Sequence, residues 1–114
     1  MPLVAAAMMP HGFMLVPPVS EDAEGVIATR DAMEEVGRRF ADAGVEAIVL
    51  VGPHGTRVDG AMCVMDVGRA AGTLRYKGAV AEANVPCDRP LIASILSACE
   101  EGGVTAAAAG FAGN

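Results

Sequence analysis

The two histidines are the residues of this chain best suited to chemistry, and they share one sequence setting. His11 and His54 each stand in a Pro-His-Gly sequence that directly follows an apolar run, and the chain has no other histidine. A neutral imidazole binds zinc or iron, and it can also carry protons near neutral pH. A single Pro-His-Gly is more often a turn whose histidine only forms hydrogen bonds. Its repetition favours a metal ion shared by both imidazoles over two turn histidines.

The segments before the histidines predict two buried strands. Leu3–Met9 and Ala47–Gly52 are short apolar runs that end at proline, which is typical of buried parallel strands. A helix predicted over Glu21–Ala43 separates them, so the first half of the chain reads as a βαβ unit. The carboxyl ends of parallel strands meet at one edge of a sheet. We therefore expect His11 and His54 to emerge side by side, within reach of one ion at metal–nitrogen distances of about 2.0–2.1 Å.

Two amphipathic helices are expected to flank the sheet. The first follows Ser20 as its N-cap, ends at Gly44, and repeats apolar residues at spacings of three and four: Val26, Thr29, Met33, Val36, Phe40 and Ala43. Its solvated face offers the i,i+4 ion pairs Glu34–Arg38 and Glu35–Arg39. The second helix, Arg89–Glu101, follows Asp88 as its N-cap and ends at Gly102-Gly103. Its apolar stripe consists of Leu91, Ile92, Ile95, Leu96 and Cys99.

The remaining segments complete an α/β fold. The sequence predicts two further strands, Ala61–Val67 and Val104–Ala109. Thr73–Tyr76 is expected to pair back onto Ala61–Val67 as a hairpin. Gly78–Pro86 is expected to be irregular with a short helical piece. The predicted fold class is α/β, built on a βαβ unit with a mostly parallel or mixed sheet flanked by helices. The 114 residues form either a single α/β domain or the amino-terminal part of a larger catalytic domain.

Composition narrows the class of protein and suggests a partner. Apolar residues make up 53% of the chain without counting its 14 glycines, and the mean hydropathy is +0.41. We therefore expect the fold to be incomplete by itself, with an apolar surface covered by a further polypeptide segment or a second copy. The net charge of −6 argues against nucleic acid. Membrane-span and signal-peptide patterns are absent, and the three cysteines lack metal spacing, which favours reduced thiols in the cytoplasm.

Other common catalytic motifs are missing, and the metal hypothesis needs a third ligand. The sequence has no GxGxxG, no Walker A lysine loop and no GxSxG, which argues against dinucleotide, P-loop and serine-hydrolase sites. Two imidazoles with one carboxylate are the usual ligand set of non-haem Fe(II), and a zinc site is the alternative. Candidate carboxylates within the chain are Asp59, Asp66, Glu82 and Asp88, and the sequence favours none of them. Asp59 is the nearest to His54, but its Val-Asp-Gly setting is typical of a turn.

Three features together resemble a known enzyme family. Met9-Pro10-His11-Gly12, the long helix, and Gly52-Pro53-His54-Gly55-Thr56-Arg57-Val58 are similar to the amino-terminal half of LigB-type (class III) extradiol aromatic-ring dioxygenases. The resemblance extends through the second helix and so covers essentially the whole chain. It implies that His11 and His54 bind Fe(II), while the metal-binding glutamate and the acid–base histidine lie beyond Asn114. These 114 residues alone would then be inactive.

The resemblance implies an oxidoreductase of aromatic compound catabolism. Its substrates would be a catecholic ring and O₂, and its product a ring-opened semialdehyde. The alternative is a Memo-like protein, which shares the fold and part of the site but acts in metal binding or interaction without ring cleavage, or an inactive fragment. Fold alone does not decide between these functions.

Overall fold

The structure is a computed structural model that describes residues 2–17 and 24–111 of the chain. A 3₁₀ turn at Phe13–Leu15 precedes helix α1 (Glu24–Asp42). Strands β1 (Met62–Met65), β2 (Arg69–Tyr76) and β3 (Ala79–Pro86) follow, and then helix α2 (Arg89–Glu101) and strand β4 (Ala106–Ala109). The fold class is mixed α/β, as predicted. Ser20 and the predicted helix residues Glu21–Ala23 lie outside the described residues.

The chain divides into two units. The first comprises residues 1–48 and 72–82, and the second comprises residues 49–71 and 83–114. His11 belongs to the first unit and His54 to the second.

In the first unit, α1 presents the apolar face that the sequence predicts. Val26, Thr29, Met33, Val36 and Phe40 are all half-buried, whereas the predicted stripe residue Ala43 is exposed. The helix contacts the 3₁₀ turn. At its carboxyl end, the Val45 N–H donates to the Phe40 carbonyl at 3.1 Å. The sequence periodicity therefore identified the inward face correctly, up to the last turn.

The solvated face of α1 carries one of the two predicted ion pairs. Arg39 Nε lies 3.0 Å from Glu35 Oε1, as the i,i+4 spacing predicts. Arg38 Nε lies 3.0 Å from Glu35 Oε2, so this arginine pairs at i,i+3 instead of with Glu34. One carboxylate thus accepts hydrogen bonds from two guanidinium groups.

The second unit contains the parallel sheet of the chain. β1 and β4 pair in parallel with Met62 opposite Ala106 and Met65 opposite Ala109. α2 lies between them in sequence and contacts both strands. The βαβ arrangement of the described residues is therefore β1–α2–β4, with the β2–β3 hairpin inserted between β1 and α2.

Helix α2 matches its sequence prediction closely. It spans Arg89–Glu101, and the Leu91 N–H donates to Asp88 Oδ1 at 2.9 Å, which is the predicted N-cap. Gly102 forms the C-cap. The stripe that faces inward is the predicted one, with every member half-buried: Leu91, Ile92, Ile95, Leu96 and Cys99.

Thr73–Tyr76 forms a hairpin strand as predicted, within β2, but its predicted partner and the predicted structure of Gly78–Pro86 were wrong. β2 pairs with β3 instead of returning to β1, and Gly78–Pro86 is mostly strand instead of irregular. Lys77 and Gly78 form the two-residue connection, with φ of 48° and 81°. Positive φ at both central positions is typical of the type I′ hairpin turn, which matches the twist of antiparallel strands. The alanines of β3 have low strand propensity, so the segment gave little sequence signal.

The two strands predicted before the histidines are not formed. Residues 2–12 and 45–58 contain no strand, so the predicted βαβ unit Leu3–Gly55 was wrong. The side chains of these segments are open to solvent, with Met8 99% and Leu50 88% exposed. A strand that is apolar on both faces needs neighbouring strands and a layer on each side. Neither segment has these neighbours within the described residues.

Burial is correspondingly slight. Among the described apolar side chains only Val67 is buried, at 4% exposed. It directly follows Asp66, whose N–H donates to the Ala109 carbonyl at 2.7 Å and extends the parallel pairing past β1. No described helix is long and apolar enough to cross a membrane. Many large apolar side chains of the described residues are exposed, among them Leu3, Met8 and Leu50.

Candidate functional site

His11 lies in the loop that leads into the 3₁₀ turn of the first unit. The Leu15 N–H donates to the Gly12 carbonyl at 3.1 Å and so closes the turn directly after the histidine. The His11 side chain is exposed. The tight turn therefore begins at the residue that follows His11.

His11 lines an open concavity of about 420 Å³. The other walls come from Pro10, the 3₁₀ turn, and Gly25, Val26 and Thr29 at the start of α1. The Thr29 hydroxyl donates to the Gly25 carbonyl at 3.0 Å, so its proton is used within the helix. The described lining is therefore mostly apolar, with His11 as its single titratable side chain. Small-molecule sites have this character, an apolar wall with few polar groups.

An aromatic contact braces one wall of this concavity. The Phe13 and Tyr76 rings pack with centroids 4.8 Å apart and planes inclined at 47°. The ammonium of Lys77 lies 5.3 Å from the centroid of the Tyr76 ring, within cation–π range. The hairpin tip thus supports the turn that follows His11. Sequence reasoning missed this contact because it placed Tyr76 in a different hairpin.

His54 lies in the loop of the second unit that follows the apolar segment 49–51. Its side chain is exposed. Nearby in sequence, Arg57 Nε lies 3.3 Å from Asp59 Oδ1, and both of these side chains are almost fully exposed. His11 and His54 belong to different units, so their convergence on one ion stays a prediction.

The four carboxylates considered as a third ligand are placed as follows. Asp59 pairs with Arg57, and Asp88 caps α2. Asp66, which follows β1, accepts a hydrogen bond at 3.2 Å from Arg89 Nε at the start of α2. Glu82 is exposed on β3. In the described ranges, 2–17 and 24–111, no three side chains of His, Cys, Asp or Glu come together as a metal-binding group.

The Asp66–Arg89 pair marks the carboxyl edge of the parallel sheet. Asp66 follows β1, and the amino end of α2 lies at the same edge. Sequence reasoning named Asp66 as a ligand candidate and did not anticipate its arginine partner. The sequence alone does not indicate this pair, because the two residues meet only when the chain crossover brings Arg89 back to the end of β1.

The fold clearly shifts the pKa of Glu35. Hydrogen bonds from Arg39 and then from Arg38 hold the pKa of Glu35 below its usual value. The Glu35 side chain is about half exposed on α1 and is not part of the lining of the concavity. Its ionisation therefore concerns the helix surface and not the candidate site.

Comparisons with known proteins leave the family undecided. No family model matches the sequence, and neither the curated proteins nor the solved structures give a match.

Proposed function

We propose that this chain is the iron-binding part of an extradiol dioxygenase that cleaves a catecholic ring with O₂ to a ring-opened semialdehyde. The observation that carries the proposal is the repeated Pro-His-Gly after two charge-free apolar segments. It is supported by the apolar concavity beside His11, which offers an aromatic ring a place next to an imidazole. The resemblance to LigB-type dioxygenases motivates the choice of reaction.

The residues present fit Fe(II) in part. His11 and His54 are exposed on loops and supply two imidazole nitrogens, which leave coordination positions open for substrate and O₂. Three of the four candidate carboxylates are already engaged with arginines or a helix cap. We therefore infer that the third ligand and the acid–base histidine come from a further polypeptide segment. Zn(II) is the alternative metal.

These placements give the metal, the two histidines and the apolar wall separate roles. Bound iron would supply the template and the electron path that join a catecholate to O₂. The two imidazoles hold that ion, while the wall formed by Phe13, Met14 and Val26 binds the ring and displaces water from it. The Phe13–Tyr76 contact keeps the wall in position.

The proposed partner is also supported by exposed surface. Large apolar side chains of residues 3–9 and 48–51 are exposed to solvent, with Leu3 87%, Met8 99% and Leu50 88% exposed. We propose that a further polypeptide segment or a second copy covers them. Three free thiols, Cys63, Cys87 and Cys99, suit the cytoplasmic location proposed here.

Metal titration tests the proposal on the chain itself. Fe(II) under anaerobic conditions, and Zn(II) separately, should bind the parent at one ion per chain and should bind His11→Ala and His54→Ala far more weakly. Asp59→Asn is the matched control, because it changes an exposed side chain close to His54 that is already paired with Arg57. If both histidine variants bound metal as tightly as the unsubstituted chain, the two histidines would be turn residues and not metal ligands, and the proposal would be wrong.

Oxygen uptake separates the enzyme from its non-enzymatic alternative. Protein purified from its source cells, loaded with Fe(II), should consume O₂ when catechol is added and should yield a yellow ring-opened product. Metal binding without catechol-dependent O₂ uptake would instead support a Memo-like binding protein.

A further inference from the structure

The residues that line the apolar concavity beside His11 indicate the chemical class of ligand that it would bind. Its described lining contains one titratable side chain, His11, and no lysine or arginine. The sequence from Pro2 to Thr29 contains neither lysine nor arginine. A carboxylate covered by this lining would lose water without meeting a lysine or arginine of the lining, which is costly. The Lys77 ammonium near the Phe13 wall already lies over the Tyr76 ring.

The hydrogen-bonding capacity of the lining is also limited. Thr29 donates its hydroxyl proton to the Gly25 carbonyl, so it does not offer that proton to a ligand. Phe13 and Met14 are 45% and 50% exposed, and Val26 is half-buried. These three side chains present apolar surface that a ligand could cover, and the Tyr76 ring packs on Phe13.

The size of the concavity exceeds one ring. Benzene fits a cavity of about 150 Å³, whereas the concavity has about 420 Å³. A catechol ring would leave room for a substituent of similar bulk against the Phe13–Met14 wall.

We propose that this concavity selects a catechol whose ring bears an uncharged, apolar substituent, with Phe13, Met14 and Val26 as the specificity-determining residues. This inference rests on the proposed function for the identity of the ring, and it adds the class of substituent. Catechols that carry a carboxylate on the ring are expected to be excluded.

Direct binding to the metal-free chain tests the inference without ring cleavage. The probes are 4-tert-butylcatechol and 3,4-dihydroxybenzoate, which differ only in the substituent at one ring position. Binding is followed by the NMR shifts of the Met14 and Val26 methyl groups. The first probe should bind at least about tenfold more tightly, since even one methylene in an apolar pocket changes discrimination by that order.

Variants locate the selectivity. Met14→Lys adds a cation to the wall and should reduce or reverse the preference for 4-tert-butylcatechol. Met8→Lys is the matched control, because Met8 is fully exposed in the same unit and outside the lining, and it should leave the preference unchanged.

Three outcomes would overturn the inference: equal binding of the two probes to the unsubstituted chain, tighter binding of 3,4-dihydroxybenzoate, or equal effects of the two variants. A preserved probe preference in protein that shows no Fe(II)-dependent O₂ uptake would overturn the ring-cleavage function and leave the apolar subsite standing.

Discussion

Gly110 lies so close to Asp66 that only a glycine fits: a Cβ built on Gly110 would lie 2.8 Å from the Asp66 carbonyl oxygen. This approach occurs where the parallel pairing of β1 and β4 continues through the Asp66–Ala109 hydrogen bond. The backbone of residue 110 therefore passes directly over the end of β1.

Gly110→Ala should destabilise the second unit by about 1–3 kcal/mol, because a methyl group there forces backbone apart. Hydrogen exchange of the Asp66 amide measures the effect directly, since that amide donates across the strand pair. Gly52→Ala is the control, because its added Cβ meets no atom within 4 Å, and it should change exchange by less than about 0.5 kcal/mol. Equal effects of the two substitutions would contradict the close approach.

Asp88→Ala should cost about 1 kcal/mol, because the first turn of α2 loses the acceptor for its Leu91 N–H. Asp88→Ser keeps a side-chain oxygen at the cap and should retain most of that stability. Urea unfolding followed by far-UV circular dichroism compares the two variants. A serine variant as unstable as the alanine variant would argue against capping as the cause.

Glu35 should titrate below the usual glutamate range, and its pairing should weaken in acid. Because the folded-state pKa is lowered, the contribution of this group to stability is present above the unfolded pKa and is lost as pH falls through the folded pKa. Carboxyl-carbon NMR of the side chain follows the titration. Arg38→Ala and Arg39→Ala should each raise the pKa of Glu35, since each arginine lowers it through a hydrogen bond and through its charge. An unchanged pKa of Glu35 in either variant would contradict the pairing of that arginine.

Leu50→Glu should reduce self-association or partner binding without destabilising the isolated chain. The Leu50 side chain is exposed, so its substitution should change unfolding by no more than about 0.5 kcal/mol. Ile95→Glu is the contrast, because Ile95 belongs to the half-buried stripe of α2 and should unfold that unit. Sedimentation velocity measures association, and urea unfolding measures stability. Unchanged association in Leu50→Glu would remove residues 48–51 from the proposed interface.

Local sequence signals predicted both helices and the strands β1 and β4 within Ala61–Val67 and Val104–Ala109, and they failed for the two segments before the histidines. The stripe of α2, its Asp88 cap and its glycine stop depend on residues within one or two turns of each other, and the structure has all of them. Segments 3–9 and 47–52 are apolar, and the second is rich in β-branched residues, yet a strand also needs partners distant in sequence. Their exposure shows that such partners are not supplied by the described residues, so propensity alone did not decide their structure.

The candidate site was predicted only at the level of residue type and loop position. His11 and His54 lie on loops, but the strands predicted to precede them are not formed, and their binding of one ion stays a prediction. The Phe13–Tyr76 contact and the Asp66–Arg89 pair could not be predicted, because each depends on how strand pairing brings together residues that are distant in sequence. The Lys77-Gly78 turn was the missed local cue, since a two-residue connection with glycine is a hairpin signal.

The insertion of the β2–β3 hairpin between β1 and α2 has a kinetic consequence. Paired residues Met62 and Ala106 are 44 positions apart, so joining β1 to β4 closes a long loop at an entropic cost of about 3 kcal/mol. The hairpin, with its two-residue turn, needs no such closure and can form within about 1–10 μs. We expect β2–β3 and α2 to form first and the parallel pair to form last. The folding transition state should then be insensitive to substitutions in β4, whose effects would appear in the unfolding rate.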